Sequence, residues 1–307
     1  MDLIEIAFSA VRVSTPLVFA AMGGLLSYQA GMLNIALDGF MIIAAFAAIA
    51  TAHFTGSLEL AILVAVLGAT MLSALLGVFT LKLNADVFIA GIAIIFMAYG
   101  LTALLLKGIL GEDGVFMSSA IPRFPTLDLP VIESIPVVGG IVSGHTLLVY
   151  IAWLLVPLVA WCLYRTRWGL RVRMVGEAPE AAAAAGVNVD SIKFQTMLLS
   201  GVLCGFGGAY LSLAYVSLFA NQMTAERGLI AIAAIFFAKG HPGWTALVAL
   251  LFGLATALSV RLPQVTGAAP QLLQLIPYVV TVAALIIVGF RTARSRSKHG
   301  AWKFGWN

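Results

Sequence analysis

Apolar runs long enough to cross a bilayer follow one another along the whole chain, most of them parted by only a few residues. They read as spans at roughly 8–28, 33–55, 59–81, 86–106, 145–164, 193–217, 228–239, 244–261 and 271–290. About 20 apolar residues of helix cover the hydrocarbon core. Inside it every peptide group has to be bonded within the protein, which a helix does by itself. A large soluble domain is excluded by charge. Charged residues make up 10% of the 307 and hydrophobic ones 62%, against about 25% charged in an average soluble domain. The expectation is an all-α, polytopic helical membrane protein of about nine membrane-inserted helices, with one transmembrane domain over 1–290 and a basic tail over 291–307. The seventh run, 228–239, is too short to cross comfortably and is expected as a broken or re-entrant helix.

Charge sets the orientation. Arg165, Arg167, Arg171 and Arg173 crowd one junction, and basic residues near span ends are retained on the cytoplasmic side. With 165–193 inside, alternation places Lys82, Lys239 and the tail from Arg291 to Lys298 inside as well. Residues 1–7, the Gly- and Pro-rich segment 108–144, 218–227 and 262–270 then lie outside. Twelve of the seventeen Lys and Arg fall inside and eight of the thirteen acids outside, so the N-terminus is expected out and the C-terminus in. The net charge of +4 belongs to the basic loops and is no sign of nucleic acid binding. Asp2 and Glu5 stand where a cleavable signal would carry basic residues. Cys162 and Cys204 lie in apolar runs, which suits buried, inert thiols.

Within the cytoplasmic loop, Pro179 suits the first turn of a helix, Glu177 and Glu180 its positive end, and Gly186 its C-terminal cap. The stretch from Ala181 to Ala185 is all alanine. Such a helix is short, carries little apolar surface of its own and is marginal unless something packs on it. Two readings stay open on the physics: a docking helix for a cytoplasmic partner, or a solvated linker.

Polar groups within the bilayer are few. Gly31-Met-Leu-Asn-Ile-Ala-Leu-Asp-Gly39 interrupts the boundary of the first two spans with Asn34 and Asp38, whose spacing puts them on one face of a helix. An acid so placed faces the bundle interior or a water-filled path. It can line a route, hold a broken helix by a buried bond, or cap the second span, and a structural role is favoured over lining. Gly201 and Gly205 form a GxxxG pair continued by Gly207 and Gly208, a small-residue face that lets helices approach closely. Glu226 and Arg227 read as a local ion pair rather than a gate.

The chain carries no phosphate-binding loop, zinc-ligand spacing or nucleophile elbow, and His53, His145, His241 and His299 are scattered singly. Neither catalysis nor a cofactor or metal is expected, and ATP-driven movement of a solute would need a separate ATPase. An ion-coupled secondary transporter would be expected to place acids in mid-span and to show internal repeats. Asp38 is the only acid close to a span interior. An intramembrane enzyme would bring a convergent catalytic set onto facing spans, and none is visible.

Five blocks then occur in order. They are Thr15-Pro16 with Ala20-Ala-Met-Gly-Gly24; Gly31 to Gly39; Arg165-Thr-Arg-Trp-Gly-Leu-Arg-Val-Arg-Met-Val-Gly-Glu-Ala-Pro-Glu-Ala-Ala182; Met223-Thr-Ala-Glu-Arg-Gly-Leu-Ile-Ala-Ile-Ala-Ala234; and Leu275-Ile-Pro-Tyr-Val-Val-Thr281. Together they resemble the permease subunits of bacterial ABC importers in the ribose and branched-chain amino acid permease superfamily. Within it the chain is most similar to the shorter of the paired permeases of nucleoside uptake systems. Asp38 stands where that family usually has Glu, Glu226 where it usually has Gly, and Ala238 and Gly240 where Gly and Trp are common.

The resemblance implies a type II ABC importer-like permease fold in the bacterial inner membrane. It implies that Gly176, Glu177, Pro179, Glu180, Ala181, Ala182 and Gly186 form or cap the coupling helix that docks on an ABC ATPase subunit. It also implies a second, paralogous permease, an extracytoplasmic substrate-binding lipoprotein, and alternating access for a small-molecule solute among membrane lipid. The solute is then a nucleoside, or in the alternative a simple sugar such as ribose.

Overall fold

The computed structural model describes residues 3–122, 124–127 and 138–266. The expected ninth span at 271–290, the block at Leu275 and the tail at 291–307 lie outside the described residues. The helices are α1 (Leu3–Gln29), α2 (Leu37–Thr55), α3 (Leu58–Leu81), α4 (Val87–Leu110), α5 (Val138–Val142), α6 (Leu147–Arg165), α7 (Arg167–Glu177), α8 (Pro179–Ala184), α9 (Val189–Ala209), α10 (Arg227–Phe237) and α11 (Pro242–Thr266). Helix α9 continues into a π-helical turn over Tyr210–Tyr215. Seven of these helices, α1 to α4, α6, α9 with its extension, and α11, are long and apolar enough to cross a membrane. Each of the first eight expected spans falls on one helix, and the short seventh is α10.

The junction residues explain where helices begin and stop. Ser57 accepts from Leu60 N at 3.4 Å, and the Asp86 carboxylate accepts from Phe88 N at 2.9 Å and Ile89 N at 3.0 Å. These bonds satisfy donors that a new helix leaves unpaired. The segment between α4 and α6 is less irregular than expected. Strand β1 (Val115–Phe116) pairs antiparallel with β4 (Phe219–Ala220), and β2 (Thr126–Leu127) with β3 (His145–Thr146).

Helices α1, α2 and α9 form the buried centre, while α3, α4 and α6 present Leu67, Met71, Leu104, Leu154 and Trp161 outward. Outward-facing apolar side chains of this size suit lipid as the surrounding solvent. The glycine face of α9 sets the close packing. A Cβ built on Gly201 would lie 2.6 Å from Ser73 Cβ, on Gly205 2.7 Å from Val66 Cα, and on Gly208 2.8 Å from Ala44 Cβ. Without side chains there, α9 touches α3 on one side and α2 on the other.

Three expectations need correction. Helix α2 begins at Leu37, not 33, and 31–36 is not helical, so Asn34 and Asp38 do not share a helical face. Cys204 is buried but Cys162 is only half-buried. Glu226 and Arg227 form no ion pair: Arg227 donates to Met223 O at 2.9 Å and Thr224 O at 3.2 Å. Their backbone carbonyls compete successfully for the guanidinium because they lie one turn away on the same strand of chain.

Candidate functional site

Helix α10 has 11 residues, about 16 Å of helix, roughly half the ~30 Å hydrocarbon core. Its C-terminal end is tied to the end of α1, where Gln29 Nε2 donates to Gly240 O at 2.6 Å. Its N-terminal end therefore stops inside the bundle. The chain reaches that point through an irregular segment in which Gln222, Ala225 and Glu226 all have positive φ, at 59°, 46° and 58°. Non-helical backbone at such depth is tolerated where it is buried in protein or lines a cavity.

Asp38 closes this exposed helix end. Its Oδ1 accepts from Gly228 N at 3.0 Å, and its Oδ2 accepts from Thr224 Oγ1 at 2.9 Å and from the Tyr99 hydroxyl. The side chain is buried, and the partial positive charge of the α10 N-terminus offsets its own. The bond requires intimate contact, since a Cβ on Gly228 would lie 2.6 Å from Asp38 Cα. Asp38 thus caps α10 and not α2, whose N-cap, Ala36, has no side-chain bond. Asn34 is turned the other way: its Oδ1 accepts from Ala36 N at 3.1 Å and its Nδ2 donates to Ser200 Oγ at 3.0 Å. The two polar residues of one short motif therefore pin the broken stretch to α9 on one side and to α4 and α10 on the other.

Beside this junction lies a largely apolar cavity of about 540 Å³, lined among others by Ile35, Asp38, Ile95, Phe96, Tyr99 and Glu226. A second, more polar cavity of about 650 Å³ shares Phe96, Tyr99 and Glu226 with it and adds Gln222. A concave, mainly apolar space with a few placed polar groups suits a small solute. Tyr99, Thr224 and Gly228 escape sequence reasoning. The only available signal is Thr-Ala-Glu-Arg-Gly before a short apolar run, which marks a helix start but not the partner that caps it.

Away from this junction, α7 and α8 are parted only by Ala178, whose backbone is not helical. Thr166 caps α7 by accepting from Gly169 N at 3.0 Å. Val172, Val175 and Ala182 are buried in one cluster with Leu26, Ala30, Leu163 and Ile192. This corrects the reading of α8 as a helix without apolar anchorage: Ala182 faces the chain's own core and is closed to a partner. Glu177, Pro179, Glu180 and Ala181 are exposed. Gly186, at φ +81°, ends the helix, with Val187 N bonded to Ala182 O at 3.0 Å. Gly176 sits where a Cβ would run into the Gln29 carbonyl, and a Cβ on Gly31 would lie 3.3 Å from Gly176 Cα.

Comparison with known proteins agrees with this architecture. The chain is 36% identical over 284 residues to the nucleoside ABC transporter permease protein NupC of Lactococcus lactis subsp. cremoris, covering 89% of each chain. It is 31% identical over 300 residues to the guanosine ABC transporter permease protein NupQ of Bacillus subtilis, covering 93% of each. It is 30% identical over 311 residues to the putative glucose ABC transporter permease protein TsgC13 of Haloferax volcanii, covering 94% of this chain and 92% of that one. No solved structure matches. The family described as branched-chain amino acid transport system / permease component matches residues 6–285. With seven apolar helices long enough to cross among its described residues, the chain is a multi-pass inner-membrane ABC transporter permease and belongs to that family.

Proposed function

We propose that the chain forms one half of the translocation path of an importer for nucleosides, moving its solute by alternating access. The observation that carries this reading is the half-helix α10, stopped inside the bundle by Asp38 beside a solute-sized cavity. The nucleoside and guanosine permeases to which the chain is similar over about nine-tenths of its length support the substrate class.

The permease family implies an ATPase partner and a substrate-binding protein. In this reading the exposed edge of α8, with Glu177, Pro179, Glu180 and Ala181, is the docking surface for the ATPase, while Gly176 and Ala182 fix that surface to the bundle and Gly186 ends it. A second, paralogous permease completes the path, a lipoprotein delivers the solute from outside, and the N-terminus faces out. The chain supplies a route and a lever but no bond chemistry. ATP closes the ATPase dimer, and the two permeases rotate against each other as largely rigid bodies.

A simple-sugar substrate is the second reading, favoured by the similarity to the putative glucose permease. Reconstitution decides between them. Proteoliposomes holding both permeases, the ATPase and the binding protein should take up a radiolabelled nucleoside with ATP, and should fail when any one component is omitted. Uptake of glucose or ribose without uptake of nucleosides would establish the sugar reading. Uptake by this chain alone, driven by an ion gradient, would refute both.

A further inference from the structure

Two carboxylates meet at the cavity, and their surroundings divide the work between them. Asp38 is buried, and the three donors it already holds commit its carboxylate to the fold. Glu226 is the opposite. It lines both cavities and is exposed, and among the described residues its carboxylate accepts no hydrogen bond and forms no ion pair. The neighbouring guanidinium of Arg227 is occupied by the carbonyls of Met223 and Thr224.

Position sharpens the contrast. Glu226 is the N-cap of α10, so it lies at the depth where that half-helix stops. A carboxylate unpaired at such depth has to face water or a ligand. Its backbone has φ 58° and ψ 20°, a left-handed conformation that costs a glycine nothing and a glutamate something. Strain held at a cavity wall points to a functional side chain.

We infer that Glu226 is a specificity-determining residue that accepts hydrogen bonds from the paired ring hydroxyls of the passing solute. The inference rests on the nucleoside reading above. A carboxylate offers acceptors only, and its two oxygens match the two O–H donors of a vicinal diol, giving short, charge-assisted bonds. The rings of Phe96 and Tyr99, which line the same space, offer aromatic faces for a planar base. A site built to bond hydroxyls discriminates strongly against a solute lacking them, because its acceptor is then left unpaired.

The test separates the permease from the binding protein. In the reconstituted four-component importer, the binding protein is saturated in turn with a ribonucleoside and with its 2′,3′-dideoxy analogue. Turnover is compared for the native chain, Glu226→Gln and Glu226→Gly. The native chain should favour the ribonucleoside by about tenfold or more, and both variants should bring the ratio to within about twofold of unity by losing turnover of the hydroxylated solute. Because glycine accepts the left-handed backbone, Glu226→Gly should assemble as well as the native chain on gel filtration. A ratio unchanged in both variants overturns the inference while leaving the nucleoside reading intact, as does equal loss of both solutes. A native importer that moves neither nucleoside but does move a simple sugar overturns the reading itself, and the inference with it.

Discussion

Asp38 Oδ1 lies 3.0 Å from Gly228 N, a bond that spans 190 positions and makes the start of one membrane helix the cap of another. The capped helix is the short one, and the bond is buried. Removing the acceptor should therefore disturb the assembled bundle as well as the path. Asp38→Leu would strand the Gly228 N–H and the hydroxyls of Thr224 and Tyr99, each at a cost of about 1–3 kcal/mol if left unpaired. The expected outcome is a clear fall in thermal stability in detergent, read by fluorescence-detected gel filtration, with Asp38→Asn between Leu and the native chain. An Asp38→Leu protein as heat-resistant as the native one would show the cap to be dispensable.

The glycine face of α9 gives a second expectation. Gly205→Leu would drive a side chain into Val66 on α3, whereas Gly108, near the end of α4, has nothing within 4 Å of a built Cβ. Gly205→Leu should lose most of its folded protein, since overpacking alone costs about 1–3 kcal/mol and here the obstacle is backbone. Gly108→Ala should be neutral or stabilise by up to about 1 kcal/mol. Equal yields of the two variants would argue against close helix contact at Gly205.

Neighbouring alanines on α8 should behave differently. Ala181 is exposed and Ala182 is completely buried. Ala181→Asp and Glu180→Arg should leave the permease in the membrane yet reduce co-purification of the ATPase and ATP-driven uptake. Ala182→Asp should lower the amount of permease itself, because it buries an unpaired charge. If Ala181→Asp binds the ATPase as well as the native chain does, this edge of α8 is not the docking surface.

Topology can be tested directly in a background lacking Cys162 and Cys204. A cysteine at Ser119 should react with an impermeant maleimide in intact spheroplasts, and one at Asn188 only after lysis. The reverse pattern would invert the orientation drawn from the charges.

The parts legible in the sequence are those governed by local chemistry. Hydropathy locates α3 and α4 to within a few residues, although the expected span 86–106 takes in Asp86, which caps α4 from outside it. Hydropathy starts α2 too early because Met32, Leu33, Ile35 and Ala36 are as apolar as the helix itself. What stops the helix there is the Asn34 side chain folding onto Ala36 N, a turn that hydropathy does not register. The partners of Asp38 lie 61 to 190 positions away and come together only through packing. The anchorage of α7, from which α8 continues, is hidden for a different reason. Val172 and Val175 sit among arginines, so their shared inward face is masked by the charge of their neighbours.

The contact between Gly31 and Gly176 has a mechanical consequence. Nothing thicker than hydrogen atoms separates α7 from the chain at Gln29–Gly31, and only Met32 and Leu33 then lead to Asn34 and its bond to Ser200. So short a run holds almost no slack. Any shift of α7 must arrive at the cavity wall nearly undiminished, within the same stroke. The join works as a fitted bearing with zero clearance, and a single methyl at either glycine would act as a shim, wedging the transmission open while every solute-facing side chain stayed as it was.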